Sequence, residues 1–366
     1  MVVSALTIDA QHFQASAESQ AVSVLRRDVR ARPSADGAPK PPSAFGANAP
    51  TLYDRSPPNG AAWTAFAAGS RTVAPSSEAA RPTTTRTLTG THWASPADFP
   101  ALKAAGYDFA VVTVPPTDKA RLDAVLDAAH QNGLKLFVGA QPYPFEHVGN
   151  ELRLTSDGKQ FLKNLSARKD DVMGVWVSNE PFWTDPLRPS VNSEKGVYTA
   201  KQLSDLANQI RAVYPDAKIM QDIGAPSAWA PGGKMHTGDK YPIDQLKGVA
   251  DYWGIFGDGA EPFKAGGAYN KQGALDKIEH EVKFVEQTLG GRAIVDAQSY
   301  YAPSATITGY PSDAQIKDFN CALRQRMPEL SGISWYVWRQ APLYQDFLAN
   351  HPSQVPLTGP NVCRVP

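Results

Sequence analysis

Val172-Met173-Gly174-Val175-Trp176-Val177-Ser178-Asn179-Glu180-Pro181 is the stretch on which the reading of this chain turns. Its first six residues carry no charge and read as a strand buried on both faces. A carboxylate then appears where the strand stops, with an amide beside it. A Glu at the carboxyl end of a parallel strand sits at a mouth rather than in a core. There it can meet a ligand while staying partly desolvated, the condition under which a carboxyl group donates a proton near neutral pH. Asn and Pro are also common turn residues, so the same letters fit a plain strand-to-loop turn.

Working outward, short apolar runs alternate with amphipathic stretches from about residue 86 onward. Strands are expected at 87–93, 108–114, 135–142, 172–179, 217–224, 250–257, 292–300 and 332–339. Helices are expected at 95–105, 118–131, 156–168, 199–213, 243–249, 272–289 and 312–327. Asn132-Gly133 and Leu289-Gly290-Gly291 mark helix ends, and Ser95 and Ser312-Asp313 mark starts. Eight strands alternating with helices in the 85–366 region fit a (β/α)8 TIM barrel, typically about 250 residues. An open doubly wound sheet is the alternative, but Gly90-Thr91-His92-Trp93 is followed by no Gly-rich phosphate loop. Residues 1–84 are rich in Ala, Ser, Pro and Arg with few periodic apolar segments. They read as a low-complexity, largely disordered segment.

In a barrel, chemistry gathers at the carboxyl ends of the strands. Those positions here hold His92 and Trp93, then Gln141, Tyr143 and His147, then Asn179 and Glu180 followed by Trp183. Next come Asp222 followed by Trp229 and His236, then Asp258, then Asp296, Gln298 and Tyr300, and finally Trp335, Trp338 and Arg339. Carboxylates, amides and aromatic rings on one rim suit a sugar, whose apolar faces stack on rings while its hydroxyls meet fixed donors and acceptors. Trp176 and Trp253 lie within strands and read as core. Trp183 and Trp229 lie in Pro- and Gly-containing loops and read as binding surface.

Charge is balanced at 36 basic and 36 acidic residues, which gives no reason to expect a nucleic-acid or anionic-membrane partner. No apolar segment reaches the roughly 18 residues of a membrane span. The seven His are scattered without His-x-x-x-His spacing, so no metal and no cofactor is expected. No Gly-x-Ser-x-Gly elbow appears. The first residues lack a basic stretch leading into a long apolar run and do not read as a signal peptide. Cys321 and Cys363 either bridge, which would favour a secreted or periplasmic setting, or remain two free thiols.

With these residues in view, the chain resembles the large clan of retaining glycoside hydrolases built on (β/α)8 barrels. The resemblance rests on Asn179-Glu180-Pro181 after a fourth strand and on Trp338 in the eighth. It implies a monomeric enzyme acting on a poly- or oligosaccharide, with Glu180 as general acid/base. It further implies that Asn179 bonds the sugar 2-hydroxyl and that Trp338 floors the sugar. His92, Trp93, Trp183, Asp222, Trp229, Gln298 and Tyr300 are the further candidate contacts.

The chain departs from that pattern on strand seven. The clan places a nucleophilic Glu at that strand's end, whereas Arg292-Ala293-Ile294-Val295-Asp296-Ala297-Gln298 contains none. Period-two alternation puts Ile294, Asp296 and Gln298 on one face. Asp296, Asp222 and Asp258 are the candidate partners for Glu180, with Asp296 standing for the usual Glu. Retention needs two carboxyls about 5–5.5 Å apart and inversion about 6.5–9.5 Å. A barrel that binds glycans without cleaving them, with Gln298 in place of the nucleophile, is the alternative.

Overall fold

The computed structural model describes residues 86–141, 143–179, 198–224, 226–230, 232–233, 243–255, 269–298, 300–301, 311–336, 338 and 346–363. The segment 1–84, expected to lack order, lies outside the described residues. From β1 (Leu88–His92) the chain runs through α1 (Phe99–Ala104), β2 (Phe109–Val114), α2 (Lys119–Asn132) and β3 (Lys135–Ala140). A hairpin of β4 (Phe145–Val148) and β5 (Glu151–Leu154) precedes α3 (Ser156–Ser166) and β6 (Val172–Asn179). Then follow α4 (Ala200–Val213), β7 (Ile219–Asp222), β8 (Tyr252–Ile255), α5 (Lys271–Phe284), β9 (Arg292–Gln298) and the short β10 (Tyr300–Tyr301). The last elements are α6 (Asp313–Arg326), β11 (Gly332–Tyr336), β12 (Asp346–Phe347) and α7 (Val355–Thr358).

Eight parallel strands close in the order β1-β11-β9-β8-β7-β6-β3-β2, the (β/α)8 barrel that the alternation of elements predicts. The eight expected strands are these eight, most of them trimmed by one to three residues at their ends. Helix boundaries follow local chemistry. Asp118 accepts from the Arg121 backbone N–H to start α2, and Gly133 ends it at φ 60°, where a residue with Cβ would be strained. Thr199 with Gln202 and Ser312 with Gln315 form capping boxes on α4 and α6. The helix expected at 95–105 is instead a 3₁₀ turn over Pro96–Asp98 followed by α1, because two prolines interrupt the donor ladder. The β4–β5 hairpin was not expected from the sequence. It forms because Phe145, Leu152 and Leu154 turn inward and are buried.

Inside the barrel Phe109, Val111, Phe137, Trp176, Met220 and Ile294 fill the lower layer. Large rings fit there because glycines face them. A Cβ on Gly139 would lie 2.5 Å from the Trp176 ring, and one on Gly174 would lie 2.8 Å from Phe137. Outside the strands a larger core, including Trp253 and Trp335, packs against the helices.

The C-terminal residues close this outer layer between β11 and β1. Trp335 Nε1 donates to the Thr358 carbonyl at 3.1 Å, and the Asn320 amide donates to the carbonyls of Leu357 and Gly359, each at 2.9 Å. Cys321 on α6 and Cys363 form a disulfide, which decides between the two sequence readings of this pair. No helix among the described residues is long and apolar enough to cross a membrane.

Candidate functional site

Above the apolar layer, at the carboxyl end of the barrel, the interior turns polar. His92 ends β1, Asp222 ends β7, Asp296 lies on β9 and Ser334 on β11, all buried. The imidazole lies between the two carboxylates. His92 Nε2 is 3.4 Å from Asp222 Oδ2, and Nδ1 is 3.5 Å from Asp296 Oδ1. Ser334 Oγ sits 2.8 Å from Nδ1 and sets the tilt of the ring. Trp176 Nε1 donates to Asp222 Oδ2 at 2.7 Å.

By backbone register Asp296 lies two residues further along β9 than the position paired through Gly254 with Asp222. Asp222 pairs with Gly254, which pairs with Ile294, and Asp296 pairs with Ser334. Gly254 has no Cβ to obstruct the carboxylates on either side of it. A Cβ there would collide with Asp222 Oδ1 and stand 2.9 Å from Asp296 Oδ2.

His92 and Asp296 are both shifted. Burial pushes the imidazole of His92 down, but the Asp296 and Asp222 carboxylates outweigh it and hold it above its ordinary value. Burial drives Asp296 well above the usual carboxylate range. The His92 charge opposes that shift, Asp222 adds to it, and Ser334 opposes it. Titratable groups perturbed in this way at the functional end of a barrel mark a candidate site.

The three residues bring donor atoms within 4.8 Å of one another, a spacing short enough for a cation. The ring does not suit one. It meets the two carboxylates through opposite nitrogens, and an ion on Nε2 beside Asp222 would face away from the nitrogen that meets Asp296. The arrangement is that of an imidazole linking two acids.

Beside the cluster, Trp93 is half-buried and adopts φ 60°, the left-handed region that a residue with Cβ occupies at a cost. Its ring centroid is 5.1 Å from that of Tyr336, and Tyr336 in turn lies 5.2 Å from His92. The two rings make an aromatic shelf next to the acids.

The sequence reading brought His92, Trp93, Asp222 and Asp296 onto one rim, and these four come together. Glu180, Trp183, Asp258 and His236 lie outside the described residues. For Asn179, Trp229, Gln298 and Tyr300 the backbone alone is described. A bulge in β6 between Trp176 and Ser178 puts Asn179 level with Asp222, where simple alternation from Trp176 would have put Ser178. The 3₁₀ turn Pro226–Trp229 is anchored by Glu281 of α5, whose carboxylate accepts from the Ser227 N–H at 2.7 Å and hydroxyl at 2.5 Å.

Trp338 stands elsewhere than its expected place as a sugar floor. It is 3 % exposed and packs edge-on against Tyr107 in the outer core, with ring centroids 6.3 Å apart. The strand ends at Tyr336, so period two no longer governs position 338. The residues that sequence reasoning missed are Trp176, Gly254, Ser334 and Tyr336. Alternation along β11 alone would have put Ser334 and Tyr336 on one face.

Solved structures with the same architecture include a GH5_18 protein from Streptomyces cattleya in complex with GlcNAc. It is 16% identical with a TM-score of 0.50, over 75% of this chain and 80% of that one. The barrel is one that glycoside hydrolases use. A β-galactosidase from the psychrophilic Marinomonas ef1 aligns at 12% identity and TM-score 0.48, over 74% of this chain and 58% of its own length. A GH128 endo-β-1,3-glucanase from Amycolatopsis mediterranei aligns at 14% identity and TM-score 0.43, over 76% and 96%. No protein-family model and no curated protein matches the sequence. At such identities the likeness establishes the fold, and the chemistry must be argued from the site.

Proposed function

We propose that this protein is a glycoside hydrolase acting on O-glycosidic bonds of a poly- or oligosaccharide, with Glu180 as general acid/base. The observation that carries the reading is the backbone register of Asn179, one residue before Glu180, with the buried Asp222. Two acids in unlike environments are what glycosidic cleavage requires, one donating a proton and one supporting positive charge or a water.

Asp296 lies two residues before Gln298 on β9, about 7 Å deeper along the strand. Its side chain is buried and burial holds its carboxyl well above the usual carboxylate range, which disfavours direct attack on a sugar carbon. Asp222 is then the partner assigned to Glu180. Trp93 and Tyr336 take the stacking role that Trp338 has in the clan resemblance. Trp183, Trp229, Gln298 and Tyr300 complete the sugar-contacting rim. Export to an oxidising compartment accords with the Cys321–Cys363 disulfide.

The burial of Asp296 and the amide at Gln298 also favour a second reading, a barrel that binds glycans without cleaving them. Reducing-end release from a panel of β-glucan, mannan, xylan and chitin separates the two. Release that Glu180→Gln abolishes supports the hydrolase, and retention of glycan without release supports the binder.

A further inference from the structure

We propose that His92 is a positioning residue for the acid pair: its imidazole links Asp222 to Asp296 as one unit and decides which of them carries the proton. The assignment of a catalytic purpose to that unit rests on the hydrolase reading, while the linkage itself rests on geometry.

The ring is enclosed. Asp222 faces it from β7, Asp296 from β9, Ser334 and Tyr336 from β11, Trp176 from β6, and Trp93 follows it in the chain. The titratable groups among these are the two carboxyls and the Tyr336 phenol. Nδ1 meets the Ser334 hydroxyl at 2.8 Å and Asp296 Oδ1 at 3.5 Å, and Nε2 lies 3.4 Å from Asp222 Oδ2, so a neutral imidazole with one N–H points it toward one acid at most. Only the doubly protonated ring donates toward both acids. Without it, the buried carboxylates beside Gly254 would have no cation between them, which disfavours both being charged at once. Ser334 Oγ prevents the ring from turning away. The burial of an ionisable triad is costly, and an apolar barrel layer would be more stable. The Gly254 gap, the Trp176 bond to Asp222 and the Ser334 bond to His92 all serve to hold it.

The test uses the full chain labelled with 15N-histidine, with the ring nitrogens followed from pH 5.5 to 9. His92→Gln identifies the signal by its loss. The expected result is that both His92 nitrogens remain protonated above the ordinary imidazole value of 6.5. A His92 signal that titrates at or below the ordinary imidazole value would overturn the linkage. In turnover, His92→Gln should keep at least tenfold more activity than His92→Ala and should shift a limb of the kcat/KM pH profile by a unit or more. Unchanged pH limbs in both variants would overturn the positioning role. If the parent cleaves no glycan, the hydrolase reading fails, and the nitrogen shifts still decide the linkage.

Discussion

Gly254 on β8 gives Asp222 on β7 the space its carboxylate occupies, since any Cβ at 254 would collide with Oδ1. The third carboxyl-end strand in this run, β9, brings Asp296 to the other side of the same gap. A glycine between two acids is thus what lets the polar layer exist. Gly254→Ala should destabilise the fold by about 1–3 kcal/mol, the usual cost of forcing extra volume into a packed interior. Chemical denaturation checks this, and an unchanged midpoint would show that the carboxylates move aside freely.

Stability should fall as pH rises through neutrality. His92 and Asp296 both bind their protons more tightly in the folded chain than in the unfolded one. The unfolded chain releases these protons near the ordinary values of 3.8 for Asp and 6.5 for His, while the folded chain retains them. Their contribution is therefore complete below the unfolded values and is lost as pH climbs toward the raised ones. Asp171 works in the opposite sense. Burial pushes it up, but His130 and Arg168 outweigh this and hold it low, so its contribution disappears as pH drops below about 4. Thermal melts should peak in the mildly acidic range. His92→Gln should flatten the slope above pH 6.5, and an equal slope in that variant would contradict the assignment.

The disulfide secures the C-terminal segment that bonds Trp335 and Tyr107 through Thr358. Cys321 and Cys363 are 42 residues apart, and closing a loop of that size restricts the unfolded chain and stabilises the fold by about 4 kcal/mol. Cys363→Ser should lower the melting temperature, and adding reductant to the parent should reproduce the loss. Melting that is insensitive to both would show that packing alone holds the tail.

Glu281 reaches from α5 to hold Ser227, and through it the turn that ends at Trp229. Glu281→Ala leaves a backbone N–H and a hydroxyl unpaired, at about 1–3 kcal/mol. Amide exchange at 226–229 should quicken in that variant while exchange in β7 and β8 stays slow. Uniform acceleration across the barrel would mean that the contact supports the whole fold rather than the loop.

The barrel was legible because parallel strands buried on both faces read as apolar runs, and the helices between them carry their own start and stop residues. His92, Asp222 and Asp296 were legible as polar residues at strand ends. What could not be read was parity. The bulge in β6 makes Asn179 level with Asp222, and the end of β11 at Tyr336 releases Trp338 into the outer core. Both changes break period two within a residue or two of the rim. The linkage through His92 was also beyond the sequence, because it joins residues more than 100 positions apart across the barrel interior.

The most direct test of the hydrolase account is reducing-end release by the parent and by Glu180→Gln on the same glycan. The account predicts release by the parent and a loss of roughly 10²–10⁴-fold in the variant, the range that general acid–base groups supply. Equal release by both proteins, or glycan binding by the parent without any release, would contradict it.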